Sequence, residues 1–463
     1  MTNPAIQNPL GTEKIGKLIA KFAIPCIISM LVNSLYNIVD QIFIGQGVGY
    51  LGNAATNVTF PLVTISMAFA LLIGDGAAAY FSLKLGAREP EKAARGAGTA
   101  LTLLAAVGVF FFVFGLVFLQ PLLKLFGATP ENEQYAVDYA SIILVGLPFS
   151  GLSIGLNSLI RADGSPRFAM VSMLSGAILN TILDPIFIFP LGMGVKGAAI
   201  ATIIGQIVGF IISACYLTRF KSVHFHKGLF KPDFHVARTV VSFGVSSFIT
   251  QMAVTVVVVV QNNSLTYYGA LSQYGANIPL AALGIVMKVN QIVLSVMVGI
   301  AVGSQPIVGF NYGAKQFGRV RSTYRMSVMI ACAFAAAATL AFQLVPQSIV
   351  NIFGQEDALY NEFAVKCFRI FLMFCVLNAF QTVSAIFFQA IGKPVKSALL
   401  SLSRQILFFV PAVLILPRIY ALDGTLYAGP VADFLAFLLA GTFILAEMRH
   451  LRRAEHAQMQ SGV

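Results

Sequence analysis

Along this chain, blocks of twenty or more apolar residues alternate with short clusters of Lys, Arg, Gly and Pro. About 20 apolar residues in a helix cross a bilayer core of about 30 Å. Reading each block as one helix predicts twelve spans, at roughly 15–43, 53–83, 92–119, 133–160, 167–190, 194–219, 237–264, 278–311, 320–344, 359–390, 396–416 and 425–447. The expected fold is an all-α integral membrane protein. The first apolar run, from Leu18 to Ile44, is too long for a signal-peptide core and has no early cleavage site, so it is expected to be a retained helix.

The pattern repeats. "FAIPCIIS" from Phe22 resembles "FGVSSFIT" from Phe243. "LGAR" from Leu85 resembles "YGAK" from Tyr312. "LFGATPEN" from Leu125 resembles "IFGQEDAL" from Ile352. "RADGSPRFAMVSML" from Arg161 resembles "QAIGKPVKSALLSL" from Gln389. The offsets of 221, 227, 227 and 228 are nearly constant. They predict two pseudo-symmetric six-helix bundles in one orientation, related by an axis along the membrane normal, as in transporters built from parallel repeats. The repeat also exposes a difference. Asp40 aligns with Gln261 and Asp184 with Ala412, so only the first half carries both carboxylates.

Composition agrees with a bilayer protein: 57% of residues are hydrophobic and 10% charged, against roughly 25% charged in soluble domains. The net charge of +12 would suggest a nucleic-acid partner if it lay on one surface. Instead, 24 of the 30 Lys and Arg residues fall in the N-terminal segment, in every second inter-helix break and in the tail; the clusters include Lys84/Arg88/Lys92/Arg95 and Arg219/Lys221/Lys227/Lys231/Arg238. The positive-inside rule then puts both termini in the cytoplasm and the loop near Pro130 outside. No nucleic-acid binding is expected. The chain divides into an N-terminal lobe with a cation site (1–218), a cytoplasmic linker (219–238), a C-terminal lobe (239–448) and a cytoplasmic tail (449–463). Cys26, Cys215, Cys332, Cys367 and Cys375 show no pair spacing and are expected to be free thiols.

Acidic residues inside such helices are costly and usually functional. In the first helix, Asn33, Tyr36, Asn37 and Asp40 recur at i, i+3, i+4, i+7 and share a face. In the fifth, Asn180 and Asp184 are one turn apart in "LNTILDPIFIF". The two faces can enclose a polar pocket. Its oxygen ligands suit Na⁺ or a shared proton, and no His/Cys cluster suits zinc. The plainer readings are an interfacial place for Asp40 and a structural contact for Asp184, where Pro185 could break the helix. Asp75, between two glycines in "IGDGAAAY", belongs either to a proton path or to close helix packing. Lys288 either lines a cavity or snorkels. Gln251, Gln261, Asn378 and Gln381 are candidates for a substrate path, as are Met173, Met287 and Met297 as adaptable walls. Asp433 is expected to be structural, and His224 and His226 in "HFHK" to be solvated linker residues.

These stretches resemble the MATE (multidrug and toxic compound extrusion) family. "YNIVDQIFIG" (36–45), "LIRADGSPRFAMVSMLSGAILNTILDPIFI" (159–188) and "GSQPIVGFNYGAKQ" (303–316) are similar to its first-helix ending, its fourth-to-fifth-helix segment and its eighth-helix ending. The DinF branch with the MepA-like pumps is the nearest in pattern. The resemblance implies V-shaped lobes exchanging lipophilic, mostly cationic drugs for H⁺ or Na⁺ by alternating access, with no cofactor. It implies a first-lobe cation site of Asp40, Asn180, Asp184 and Thr202, with Tyr36 and Tyr139 nearby and Pro25 at a bend. The NorM-type acids of the seventh and tenth helices have no counterpart here beyond Glu362, at the start of the tenth. A monomer in the bacterial inner or plasma membrane is expected, with drugs and the lipid bilayer as its partners. Substrate-path candidates are Asn33, Asn37, Gln261, Lys288, Met173 and Met287. The runner-up is a lipid-linked oligosaccharide flippase of similar fold, for which several cavity bases would be needed. An intramembrane enzyme using Mg²⁺ and a diphosphate would need clustered Asp motifs, which the chain lacks.

Overall fold

A computed structural model describes residues 8–48, 50–126, 128, 132–275, 277–352 and 358–460; Pro130 and most of "IFGQEDAL" lie outside them. The described residues contain helices and no strands. The first bundle comprises α1 (Ile15–Val48), α2 (Tyr50–Gly86), α3 (Pro90–Val117), α4 (Glu133–Ala162), α5 (Pro166–Ile188) and α6 (Gly194–Cys215). The second comprises α7 (Phe234–Ala270), α8 (Asn277–Gly313), α9 (Phe317–Leu344), α10 in two segments (Ala358–Phe371 and Cys375–Ala390), α11 (Pro394–Tyr420) and α12 (Leu422–Gln460). Eleven helices are long and apolar enough to span a membrane, and α10 makes a twelfth if its segments, bent by 49° at the break, count as one. The sequence pattern predicts α10 as unbroken. Within α11, Ser403–Phe409 is a π-helical stretch. The final helix runs on to Gln460, well past the apolar block that predicts it.

The repeat is visible in the helices. α2 and α8 both have 37 residues, and α3 and α9 both have 28, each pair offset by 227. Short seven-residue helices, Leu119–Leu125 and Pro346–Ile352, follow at the same offset.

The halves meet through the first part of α1 against α8 and of α7 against α2. Leu18, Ile19, Phe22 and Ala23 of α1 belong to the apolar core of the second bundle. Val240 of α7 belongs to a core of the first. Lipid competes with apolar side chains, so membrane helices gain most from close backbone approach at small residues. Glycine supplies it here. A Cβ on Gly244 would overlap the Leu72 carbonyl oxygen, and one on Gly76 the Val240 carbonyl. Nearer the helix ends, Gly86 fits against the Phe310 carbonyl and Gly313 against that of Leu83. These last two contacts are exchanged by the 227-residue repeat, so the pseudo-two-fold axis passes between them.

The connection between bundles is anchored. Asp163, at the end of α4, accepts hydrogen bonds from Tyr216 Oη (2.8 Å), Lys221 N (2.8 Å) and Ser222 N (3.0 Å). Burial pushes its carboxyl above the ordinary range, against the opposing pull of those hydrogen bonds.

Overpacking a tight contact costs about 1–3 kcal/mol. Gly244→Ala is therefore expected to lower the melting temperature in detergent, whereas Gly441→Ala, with nothing within 4 Å of its Cβ, should leave it unchanged or raise it. Equal melting temperatures for the two variants would contradict the interface described here.

Candidate functional site

The polar group lies inside the first bundle, where α1, α5 and α6 converge. One turn of α5 puts Asn180 and Asp184 on the same face. Asn180 Nδ2 donates to Asp184 Oδ1 (3.2 Å) and to Thr202 Oγ1 of α6 (3.2 Å). Thr202 can come so close because α5 and α6 touch through glycines. A Cβ on Gly205 would lie 2.6 Å from the Gly176 carbonyl oxygen and 3.2 Å from the Asn180 Cβ. α1 supplies Asp40, whose carboxyl interacts directly with that of Asp184, and Tyr36. Tyr139 of α4 closes the pocket within electrostatic reach of both carboxyls. Asp184 is 0% exposed and Asn180 2%.

Unused acceptors decide what this pocket can do. Asp40 Oδ1, Asp184 Oδ2 and Asn180 Oδ1 are buried without a hydrogen-bond partner. A buried carboxylate is tolerable only if it is neutralised or paired. No Lys or Arg forms an ion pair with either Asp among the described residues. Three orphaned oxygens with the Thr202 hydroxyl make a hard, all-oxygen set, suited to a proton shared by the two acids or to Na⁺. No group of three or more His, Cys, Asp or Glu residues that could hold a metal occurs among the described residues. Pro185 does not break α5, which continues to Ile188.

The other candidates are scattered. Asn33 and Asn37 are exposed on α1, turned away from the pocket, and Asn37 Nδ2 donates to the Asn33 carbonyl (2.7 Å). Met173 borders a small cavity with Cys26, Met30 and Arg161. Met287 packs against the second core. Gln261 is 3% exposed and donates to the Thr425 carbonyl (3.1 Å), inside the second bundle rather than on an open wall. Lys288 is exposed.

Asp75 sits at the close contact of α2 with α7. Its neighbour Gly76 packs on α7, while its carboxylate accepts from Ser158 Oγ of α4 (3.0 Å) and Ser247 Oγ of α7 (2.8 Å). Arg161 Nη2 donates to Ser158 Oγ (2.9 Å), and Gln389 Nε2 to Ser247 Oγ (3.1 Å). This chain of polar contacts crosses from one bundle to the other. Single-sequence reading finds Asp75 but not its serines, because Ser carries no distinguishing signal in a helix. Arg404 pairs with the buried Asp433 (2.7 Å), a structural bond.

Two repeated six-helix bundles with a buried acidic pocket in one define a multi-pass membrane transporter, not an enzyme. The chain belongs to the MatE family, whose model matches residues 25–186 and again 252–414, once in each half. It is 26% identical over 453 residues to the multidrug export protein MepA of Staphylococcus haemolyticus, covering 96% of this chain and 97% of that one. Among solved structures, the MATE multidrug transporter DinF-BH is 36% identical with a TM-score of 0.86, covering 94% of this chain and 96% of that one. An outward-facing multidrug resistance MATE transporter of the MOP superfamily superposes with a TM-score of 0.90 at 25% identity, covering 98% and 100%.

A ligand that binds only the folded protein stabilises it by mass action, by about 2.7 kcal/mol at a hundredfold excess over Kd. If the pocket takes Na⁺, purified protein should melt higher in NaCl than in choline chloride. Thr202→Val, which removes one neutral oxygen, should shrink that difference, and Asp184→Asn should erase it. If it takes only a proton, melting should follow pH and ignore Na⁺. Indifference to both cations would remove the pocket from consideration.

Proposed function

We propose that this protein is a cation-coupled antiporter that exports several lipophilic, mostly cationic drugs across the bacterial cell membrane by alternating access. The observation that carries the proposal is the pairing of buried Asp184 with half-buried Asp40, each with one buried oxygen that has no hydrogen-bond partner. In one state a proton or Na⁺ neutralises the pair. In the other the carboxylates are open to water in the cleft between the lobes. A ligand shifts such an equilibrium only by its differential affinity for the two states. Coupling therefore follows if drug and cation favour opposite states of the first lobe. The names of the MepA and DinF-BH relatives support efflux as the activity.

The chain then comprises a cation-binding lobe (1–218), a linker (219–238), a second lobe (239–448) and a tail (449–463). The inter-lobe contacts at Gly76, Gly86, Gly244 and Gly313 lie toward the helix ends that carry the basic loops. With those loops in the cytoplasm, the lobes are closed inward and the cleft opens outward. The Asp75 bridge would have to part when the cleft opens to the other side. A flippase of anionic headgroups would need a set of bases in the cleft, and Lys288 is the one candidate on that wall among the described residues.

Asp40→Asn and Asp184→Asn keep shape and remove charge. Each is expected to abolish uphill dye efflux in proteoliposomes, with Na⁺ and pH gradients imposed separately, while expression stays near wild type. Drug binding in detergent is expected to survive, since binding and coupling are separable free energies. Full uphill transport by both variants would move the coupling site elsewhere. Orientation is checked by cysteine labelling of intact cells: a thiol at Pro130 should react from outside and one at Lys227 should not. The reverse result would invert the topology.

A further inference from the structure

We propose that Lys288 is a specificity residue on the wall of the inter-lobe cleft, and that it admits lipophilic substrates bearing an acidic group, carboxylate above all. The inference rests on the efflux reading and extends its substrate class to compounds that carry a carboxylate.

The position of Lys288 follows from the two faces of α8. Leu283, Val286, Asn290, Val293 and Met297 are buried on the side toward the second bundle. The opposite stripe contains Gly284, Lys288, Gln291, Ser295, Gly299 and Gly303, at spacings of three and four. The lower part of this stripe is packed on α1. Gly303 lies against Ala23, Gly299 against Ile27, and the hydroxyls of Ser295 and Ser34 are 2.8 Å apart. Above Ser295 the stripe is exposed, at Gln291, Lys288 and Gly284. On α1, the face beyond Ser34 continues through Asn37 and Gln41, also exposed. The two helices therefore diverge above the serine pair, and Lys288 faces the gap between lobes rather than lipid.

Three further observations point to a ligand. Lys288 lies about 16 Å from the start of α8, at 1.5 Å per residue. An ammonium at that depth is costly in lipid and stable in a wet cleft. It forms no ion pair with any carboxylate among the described residues. Asp40, one turn on from Asn37, is engaged with Asp184 of the first bundle. One turn before Lys288, a Cβ on Gly284 would meet nothing within 4 Å, leaving open room beside the charge. The exposed polar groups that follow on the two stripes, Gln291 on α8 and Asn37 and Gln41 on α1, are neutral. A cation alone gains nothing at this wall. A carboxylate on an apolar or cationic body gains a charge-assisted hydrogen bond. Lysine suits a site of broad range, because its ammonium is a mobile point donor that does not demand one planar geometry.

The test uses a matched pair of rhodamine dyes: the ethyl ester, a cation, and the free carboxylic acid of the same dye, a zwitterion near pH 7. Binding to purified full-length protein is measured by fluorescence, and transport in proteoliposomes. Lys288→Gln is expected to lower the ratio of acid to ester affinity about tenfold, the loss of one hydrogen bond to a charged group. Lys288→Arg should restore most of the ratio, and Lys288→Glu should reverse the preference. Melting temperatures of the three variants check that they fold. An unchanged ratio in Lys288→Gln, or a wild-type protein that does not bind the acid, would overturn the proposal. If wild-type protein binds the acid through Lys288 but moves neither dye, the efflux reading fails and the Lys288 assignment stands.

Discussion

Everything in this molecule hangs from the contact of main chain on main chain at one end of the two bundles. Side chains alone gain little from meeting in a membrane, because lipid tails solvate them as well as a neighbouring helix does. Where Gly76 and Gly244 let α2 and α7 touch, dispersion and packing take over. The same device on α1 and α8 holds the other side. The bundles are thus fastened along a narrow strip, and the helices are free to diverge beyond it. The divergence exposes the upper stripe of α8 and the face of α1 that follows Ser34.

The acidic pocket, by contrast, is an internal cost. Asp184 is fully buried, and two of its near neighbours have unsatisfied oxygens. A protein with no use for a cation there would gain stability by replacing the acids with apolar residues of similar size. The pocket is also held by small residues: the Gly176–Gly205 contact sets the spacing of α5 and α6 and so the reach of Asn180 to Thr202. The same chemistry, glycine for approach and a few polar side chains for function, serves both the interface and the site.

Much of this is legible in the sequence. Span positions follow from hydropathy because a bilayer leaves the backbone no alternative to helices. The repeat follows from four short segments, and helices of equal length at one offset agree with it. Asn180 and Asp184 are found by helical spacing alone. Thr202 is not: an isolated Thr in "AIATIIG" gives no signal without the family resemblance. Spacing also groups Asn33 and Asn37 with Asp40, yet they lie at the edge of that face and turn outward, because a wheel assigns direction without knowing which neighbours are present. Gln261 matches Asp40 by repeat but donates to a carbonyl in its own bundle. The break in α10 has no proline or glycine at Leu372–Phe374 to announce it.

The exchanged contacts of Gly86 with Phe310 and Gly313 with Leu83 make the joint between halves isologous. Each half offers the other the same patch, and the patch is used up once two halves have met. Such a surface cannot propagate, so this joint leaves no free end to recruit a third half. It also means that a substitution on the axis is felt on both sides at once, whereas one in the acidic pocket is felt in one half only. Drift near the axis is accordingly constrained in pairs. Drift away from it is free to make the halves unlike, as Asp40 and Gln261 already are.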